Sequence, residues 1–202
     1  MTLPSSPMKA GFSDPVFEGQ AAFRALMEAM ARPGLVVTAG SALSPPAGLM
    51  PAAAAAILAI CDFETPLWLS PALQSLAAGP YLRFHAGAPL VVDPARAAFA
   101  VLDGRHEALR LTDFAQGDAS YPDRSTTVLV QVSSLTAGRQ IAVTGPGIAG
   151  IAQLRVENLP DDFAAQWHAN RTAFPLGVDL IFVSDDQLVA LPRSARLLGE
   201  AA

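Results

Sequence analysis

A chain of 202 residues with 51% apolar and 15% charged side chains is long enough to bury a full core and too apolar to stay disordered. Its net charge of -5, without any run of Lys or Arg, excludes a general nucleic-acid binder, because neutralising phosphates takes a concentrated basic face. So little charge also favours a surface partly covered by another chain, as in an oligomer or complex.

The predicted elements follow in chain order. Asp14-Pro15 starts the first helix, with Asp capping free amides and Pro suited to the first turn. Phe23, Leu26, Met27 and Met30 recur at helical spacing as one apolar stripe, and Arg32-Pro33-Gly34 ends it. Residues 35–38 fit a short strand, Ser44-Pro45-Pro46 a loop, and residues 51–61 a buried alanine-rich helix whose apolar face carries Ile57 and Ile60. From Thr65 the texture changes to short extended pieces over 66–69, 82–85 and 98–102, with a helical turn over 71–77 between the first two.

Residues 126–132 are the clearest buried strand, crowded with Thr, Val and Leu and free of charge. After a turn at Ala137-Gly138-Arg139, residues 141–144 are expected to pair back on that strand as an antiparallel hairpin, which Gly145-Pro146-Gly147 breaks. Asp161 and Asp162 open a helix to about Arg171, with Phe163, Gln166, Trp167 and Asn170 at helical intervals. Residues 178–184 and 188–191, joined by Asp185-Asp186, read as a second hairpin stopped by Pro192. Helices and strands interleave with no internal repeat or linker. The expectation is a single α/β domain over 1–202, a mixed β-sheet flanked by helices, with residues 1–11 a flexible N-terminal segment.

The chemistry in the chain is sparse. Cys61 stands alone, which excludes an intramolecular disulfide and a cysteine-ligated zinc or iron–sulfur centre within one chain; its apolar helical setting points to a packed, inert thiol. His85, His106 and His168 lack the close pairings that metal sites use, so no metal is expected. MTLPSSPMKAGF at the start lacks the layout of a secretory signal, and the most apolar stretch, 47–61, is shorter than a membrane span; a cytoplasmic protein with no membrane partner is the expectation. Four residues are candidates for holding an anion. Arg83 and His85, two apart on an expected strand, would share one face. Arg124 lies in the loop Tyr121-Pro122-Asp123-Arg124-Ser125, and Arg193 follows the last strand in Leu191-Pro192-Arg193-Ser194. An exposed strand face meeting solvent or a neighbouring subunit explains the first two more simply and an ordinary turn the third, while an exposed rim ion pair explains Arg193 equally well. Thr144-Gly145-Pro146-Gly147 lacks the lysine and hydroxyl of a phosphate loop and reads as a tight turn.

Several blocks nevertheless stand in a recognisable order: FRALMEAMARPG (23–34), TPLWLS (65–70), LRFHAGAPL (82–90), AAFAVLDG (97–104), TTVLVQVSSLTAGR (126–139), VTGPGI (143–148), FPLGVDLIFV (174–183) and LPRSAR (191–196). Together they resemble the PhnH family, the H subunits of the bacterial carbon–phosphorus lyase core complex, over residues 12–198. The resemblance implies a fold similar to the large domain of pyridoxal-phosphate-dependent transferases, without that cofactor, in a protein that forms homodimers. It implies partners in the G, I, J and K subunits. It further implies a supporting part, by assembly and stabilisation of the core complex, in making α-D-ribose 1-methylphosphonate 5-triphosphate from ATP and methylphosphonate. The family's nucleosidase activity is placed in the I subunit and its radical chemistry in the J subunit. The alternative is direct binding of nucleotide or phosphonate at an arginine-lined site on this subunit. A Schiff base to pyridoxal phosphate needs a lysine, and Lys9, the only one, falls outside every expected core element.

Overall fold

A computed structural model describes residues 8–198. In chain order the elements are α1 (Pro15–Ala31), β1 (Val37–Thr38), α2 (Pro51–Ile60), β2 (Leu67–Leu69), α3 (Pro71–Gln74), α4 (Ala78–Ala86), β3 (Phe99–Asp103), β4 (Thr127–Gln131), β5 (Arg139–Thr144), β6 (Ala152–Val156), α5 (Phe163–Thr172), β7 (Asp179–Ser184), β8 (Gln187–Leu191) and β9 (Arg196–Leu198). Six strands form one mixed sheet in the order β1-β8-β7-β4-β3-β2. Within it β2, β3, β4 and β7 run parallel, while β8 and β1 add antiparallel. A smaller antiparallel sheet has the order β6-β5-β9. Among the described residues no helix is long and apolar enough to cross a membrane.

The main sheet separates two cores, and its strands feed them by alternation. Val101, Leu129, Ile181, Val183, Leu188 and Ala190 pack with α1, α2 and α4 on one face. Ala100, Val128, Val130, Leu180, Phe182 and Val189 pack with α5 and the small sheet on the other. A strand covered on both faces gains nothing from polar alternation, which is why 126–132 reads as an uninterrupted apolar run. Helix α2 is buried nearly all round, Ala52 to Ile57 being sealed, so small side chains suit it. Gln131, wholly buried at the end of β4, fixes the entry to α2: its Oε1 accepts the Met50 amide and its Nε2 donates to the Gly48 carbonyl, each at 2.7 Å.

Helix α1 begins as predicted. Asp14 Oδ1 accepts the amides of Val16 and Phe17, and Glu18 reaches back to the amides of Ser13 and Asp14. Its buried face, however, is Ala22, Leu26 and Ala29, while Phe23 and Met27 stand 47% and 52% exposed. Helical spacing fits both stripes, and the small residues win the inner one because α2 comes close only where the side chains are short.

Two further expectations are corrected. Residues 82–85 are helical, not extended: Ala78, Tyr81 and Leu82 bury one face of α4, and Gly87, at φ 73°, closes it by donating its amide to the Arg83 carbonyl. Residues 141–144 do not pair with β4, whose two edges are taken by β3 and β7. They belong to β5, which lies between β6 and β9 and sends Ile141 and Val143 into the second core. Of the expected flexible segment 1–11, residues 1–7 lie outside the described ones; beyond them the Lys9 and Ala10 carbonyls accept hydrogen bonds from His85 and Tyr81 on α4.

Candidate functional site

The four predicted anion ligands do not converge. On α4 a separation of two residues turns side chains about 200° apart, so Arg83 and His85 share no face. Arg83 is exposed, whereas His85 donates from Nε2 to the Lys9 carbonyl at 2.9 Å with its ring 4.6 Å from that of Tyr81. Arg193 reaches the turn that carries Arg124, but the two guanidiniums are engaged separately. Arg193 Nη1 donates to the Pro122 carbonyl at 2.9 Å, and the Arg124 guanidinium lies 4.0 Å over the Tyr121 ring.

Arg193 is also locked to Asp179, the first residue of β7. Its backbone amide donates to Asp179 Oδ1 at 2.7 Å, its Nε to both carboxylate oxygens, and its Nη2 to Oδ2. The two side chains are only 16% and 12% exposed. With every guanidinium nitrogen engaged, Arg193 ties the end of β8 and the 122–124 turn to the start of β7. The signal for this was in the predicted hairpin: register across Asp185-Asp186 pairs Leu180 with Leu191, which sets Asp179 beside the residues that follow β8.

A second polar cluster, at the C-terminal ends of the parallel strands, escaped the sequence reading. Asp103 ends β3, buried, and takes Arg105 Nε and Nη2 at 2.8 Å each in a forked pair; its own amide donates to Ser70 Oγ, past the end of β2. Burial pushes the Asp103 carboxyl up, but the hydrogen bonds and charge of Arg105, helped by His106, outweigh it and hold the group below the usual carboxylate range. Glu107 Oε1 accepts the Ala72 amide at 2.9 Å, and its Oε2 is buried without a partner among the described residues. The available signal was an acid, a glycine and an arginine (103–105) directly after a parallel strand, the edge at which open α/β sheets place ligands.

Cys61, outside both clusters, offers no reactive thiolate. Burial, with the charge of Asp62 adding, pushes the Cys61 thiol up to about 12. Among the described residues no three His, Cys, Asp or Glu side chains gather as a metal site. The exposed position of Lys9 beside α4 does not fit a pyridoxal phosphate anchor, which has to project from a shielded site.

Comparison with known proteins sets this geometry in a family. The model of a bacterial phosphonate metabolism protein family (PhnH) matches residues 10–198. The chain is 40% identical over 197 residues, 98% of each chain, to the α-D-ribose 1-methylphosphonate 5-triphosphate synthase subunit PhnH of Rhizobium meliloti (strain 1021). It is 30% identical over 183 residues, 88% of this chain and 85% of the relative, to the putative C-P lyase subunit protein HtxG of Stutzerimonas stutzeri. Matches of this length take in both cores and both polar clusters, and the chain belongs to the PhnH family of bacterial phosphonate metabolism proteins.

Proposed function

We propose that this chain is a subunit of the carbon–phosphorus lyase system for phosphonate breakdown. In this reading it assists formation of α-D-ribose 1-methylphosphonate 5-triphosphate from ATP and methylphosphonate by assembling and stabilising the core complex, and is not catalytic alone. Full-length similarity to a named synthase subunit supports the system. The outer face of α1 supports the supporting role: Val16, Phe23 and Met27 recur at helical spacing and stand exposed, with Phe17 beside them. Such a row is costly to leave in water and is suited to burial against another chain. In this reading the partners are a second copy of the chain and the G, I, J and K subunits, in the cytoplasm. The fold is that of the large domain of pyridoxal-phosphate-dependent transferases, kept without the cofactor, in keeping with the exposed setting of Lys9.

Reconstitution of the synthase with and without this chain tests the proposal. Loss of assembly, stability or turnover on omission is expected; an unchanged complex with unchanged turnover overturns it. The second reading, an anion held directly by the chain, leaves Arg83 and Arg124, neither in an ion pair among the described residues, and of the two Arg124 is the one with its guanidinium stacked on a ring, that of Tyr121. Calorimetry with ATP and methylphosphonate before and after Arg124→Ala and Arg83→Ala tests it, with weaker binding in the first variant expected and equal binding in both overturning it.

A further inference from the structure

Helix α5 divides two clefts. One, of about 600 Å³, lies between the helix and the 110–116 segment. Its side-chain amides are already committed. Gln166 donates from Nε2 to the Leu109 carbonyl and to Asp162, and accepts the Leu111 amide. Asn170 exchanges both its hydrogen bonds with Val178, and Gln116 Nε2 donates to two carbonyls. Those contacts fasten the 110–116 segment to the helix, and the one cation of the lining, Arg110, shares it with the carboxylate of Asp162.

The other cleft, about 300 Å³, runs along the next stripe of α5, where Trp167, His168 and Arg171 face Arg196 and Leu197 of the edge strand β9. Among the described residues no carboxylate lines it. Arg171 and Arg196 make no ion pair among the described residues. The Arg171 guanidinium carbon lies 4.7 Å over the Phe174 ring, and its Nε is buried with no hydrogen-bond partner among the described residues. A buried donor on a cation is costly unless an acceptor arrives to use it. Trp167 spends its indole N–H on the Ala195 carbonyl and gives the cleft an apolar floor. With two guanidiniums and no acid in the lining among the described residues, the cleft favours an anion.

From this geometry we infer that the α5–β9 cleft binds a phosphoryl or phosphonate head group. Two guanidiniums across a narrow cleft match a tetrahedral oxyanion with several acceptor oxygens, His168 at the mouth is a further donor, and the indole floor accepts a short alkyl group. A volume at the small end of ligand sites admits such a head group and leaves the nucleoside of any nucleotide outside. The inference goes beyond the assembly reading and uses none of the four arginine and histidine candidates taken from the sequence.

The test is calorimetric titration of the full-length chain, at physiological ionic strength, with inorganic phosphate, methylphosphonate and tripolyphosphate. Saturable binding of at least one is expected. Arg171→Gln and Arg196→Gln are each expected to weaken it about tenfold or more, the effect of losing a charge-assisted hydrogen bond, while Arg24→Gln on α1 leaves it unchanged. Strongest binding of tripolyphosphate assigns the site to a nucleotide tail, strongest binding of methylphosphonate to the phosphonate. Thermal unfolding of each variant checks the fold; if Arg171→Gln is unstable, Arg196→Gln, at an exposed edge, carries the test alone. Absence of binding by all three anions, or undiminished affinity in folded Arg196→Gln, overturns the inference. Because the chain is titrated alone, either result leaves the reconstitution experiment to be judged separately.

Discussion

Asp179 and Arg193 show what one charged pair does in this molecule. Both are largely withdrawn from water, and the guanidinium also holds the Pro122 carbonyl. Removing the carboxylate leaves a cation in place with its best partner gone, a far larger loss than breaking a pair on the surface. Asp179→Ala is therefore expected to lower the free energy of unfolding by about 3–5 kcal/mol, read from urea denaturation, whereas Glu28→Ala, breaking the exposed Arg32–Glu28 pair, shifts it by less than about 1 kcal/mol. Asp103 adds a pH dependence whose sign follows from its lowered carboxyl. Near pH 4 the unfolded chain binds more protons at this residue than the folded one. The stability it contributes is thus fully present above the ordinary aspartate value and is lost as pH falls through the lower folded one. Urea midpoints measured from neutral pH downward should fall more steeply for the natural chain than for Asp103→Asn; parallel acid limbs would count against the assignment.

At the scale of elements, contacts between segments decide what local pattern leaves open. The turn Gly145-Pro146-Gly147 was legible as a turn, but not its task, which is to pack the small sheet against the end of α1. Gly147 sits at φ +80°, and a Cβ there would stand 2.0 Å from the Ala31 carbonyl oxygen. Both the backbone conformation and the space demand glycine. Gly147→Ala is expected to cost more than about 1 kcal/mol and to lower the melting temperature in calorimetry, whereas Gly150→Ala, at a similar φ but in open space, costs less. The start of α1 was readable because capping is local: Asp14, Pro15 and Glu18 all act within one turn. Residues 82–85 were misread because a short run of alternating character fits either period, and the burial of Tyr81 and Leu82 against α2 and its neighbours selects the helix.

For the whole molecule, the distribution of apolar surface separates what the fold needs from what a partner needs. The two cores close without Phe17, Phe23 or Met27, so those side chains can be changed without opening either core. If they form the proposed contact between copies or with other subunits, Phe23→Ser with Met27→Ser should leave the monomer's melting temperature within a few degrees. The same double variant should shift sedimentation toward the monomer and weaken retention in the assembled complex. Unaltered sedimentation and unaltered complex would assign the interface to another face.

The sequence by itself determined the α/β class, the β7–β8 hairpin, the buried β4, the cap of α1 and, through ordered blocks along the chain, the family. These rest on short-range periodicity, capping chemistry and motif order, which one dimension holds in full. Only the tertiary structure decided that β4 has parallel neighbours on both edges, that β5 leaves the main sheet, that Arg193 belongs to Asp179 and that Arg171 faces Arg196. Each of those is a pairing between distant segments, selected by which apolar faces can be buried together, and the residues of a single segment carry no record of that choice.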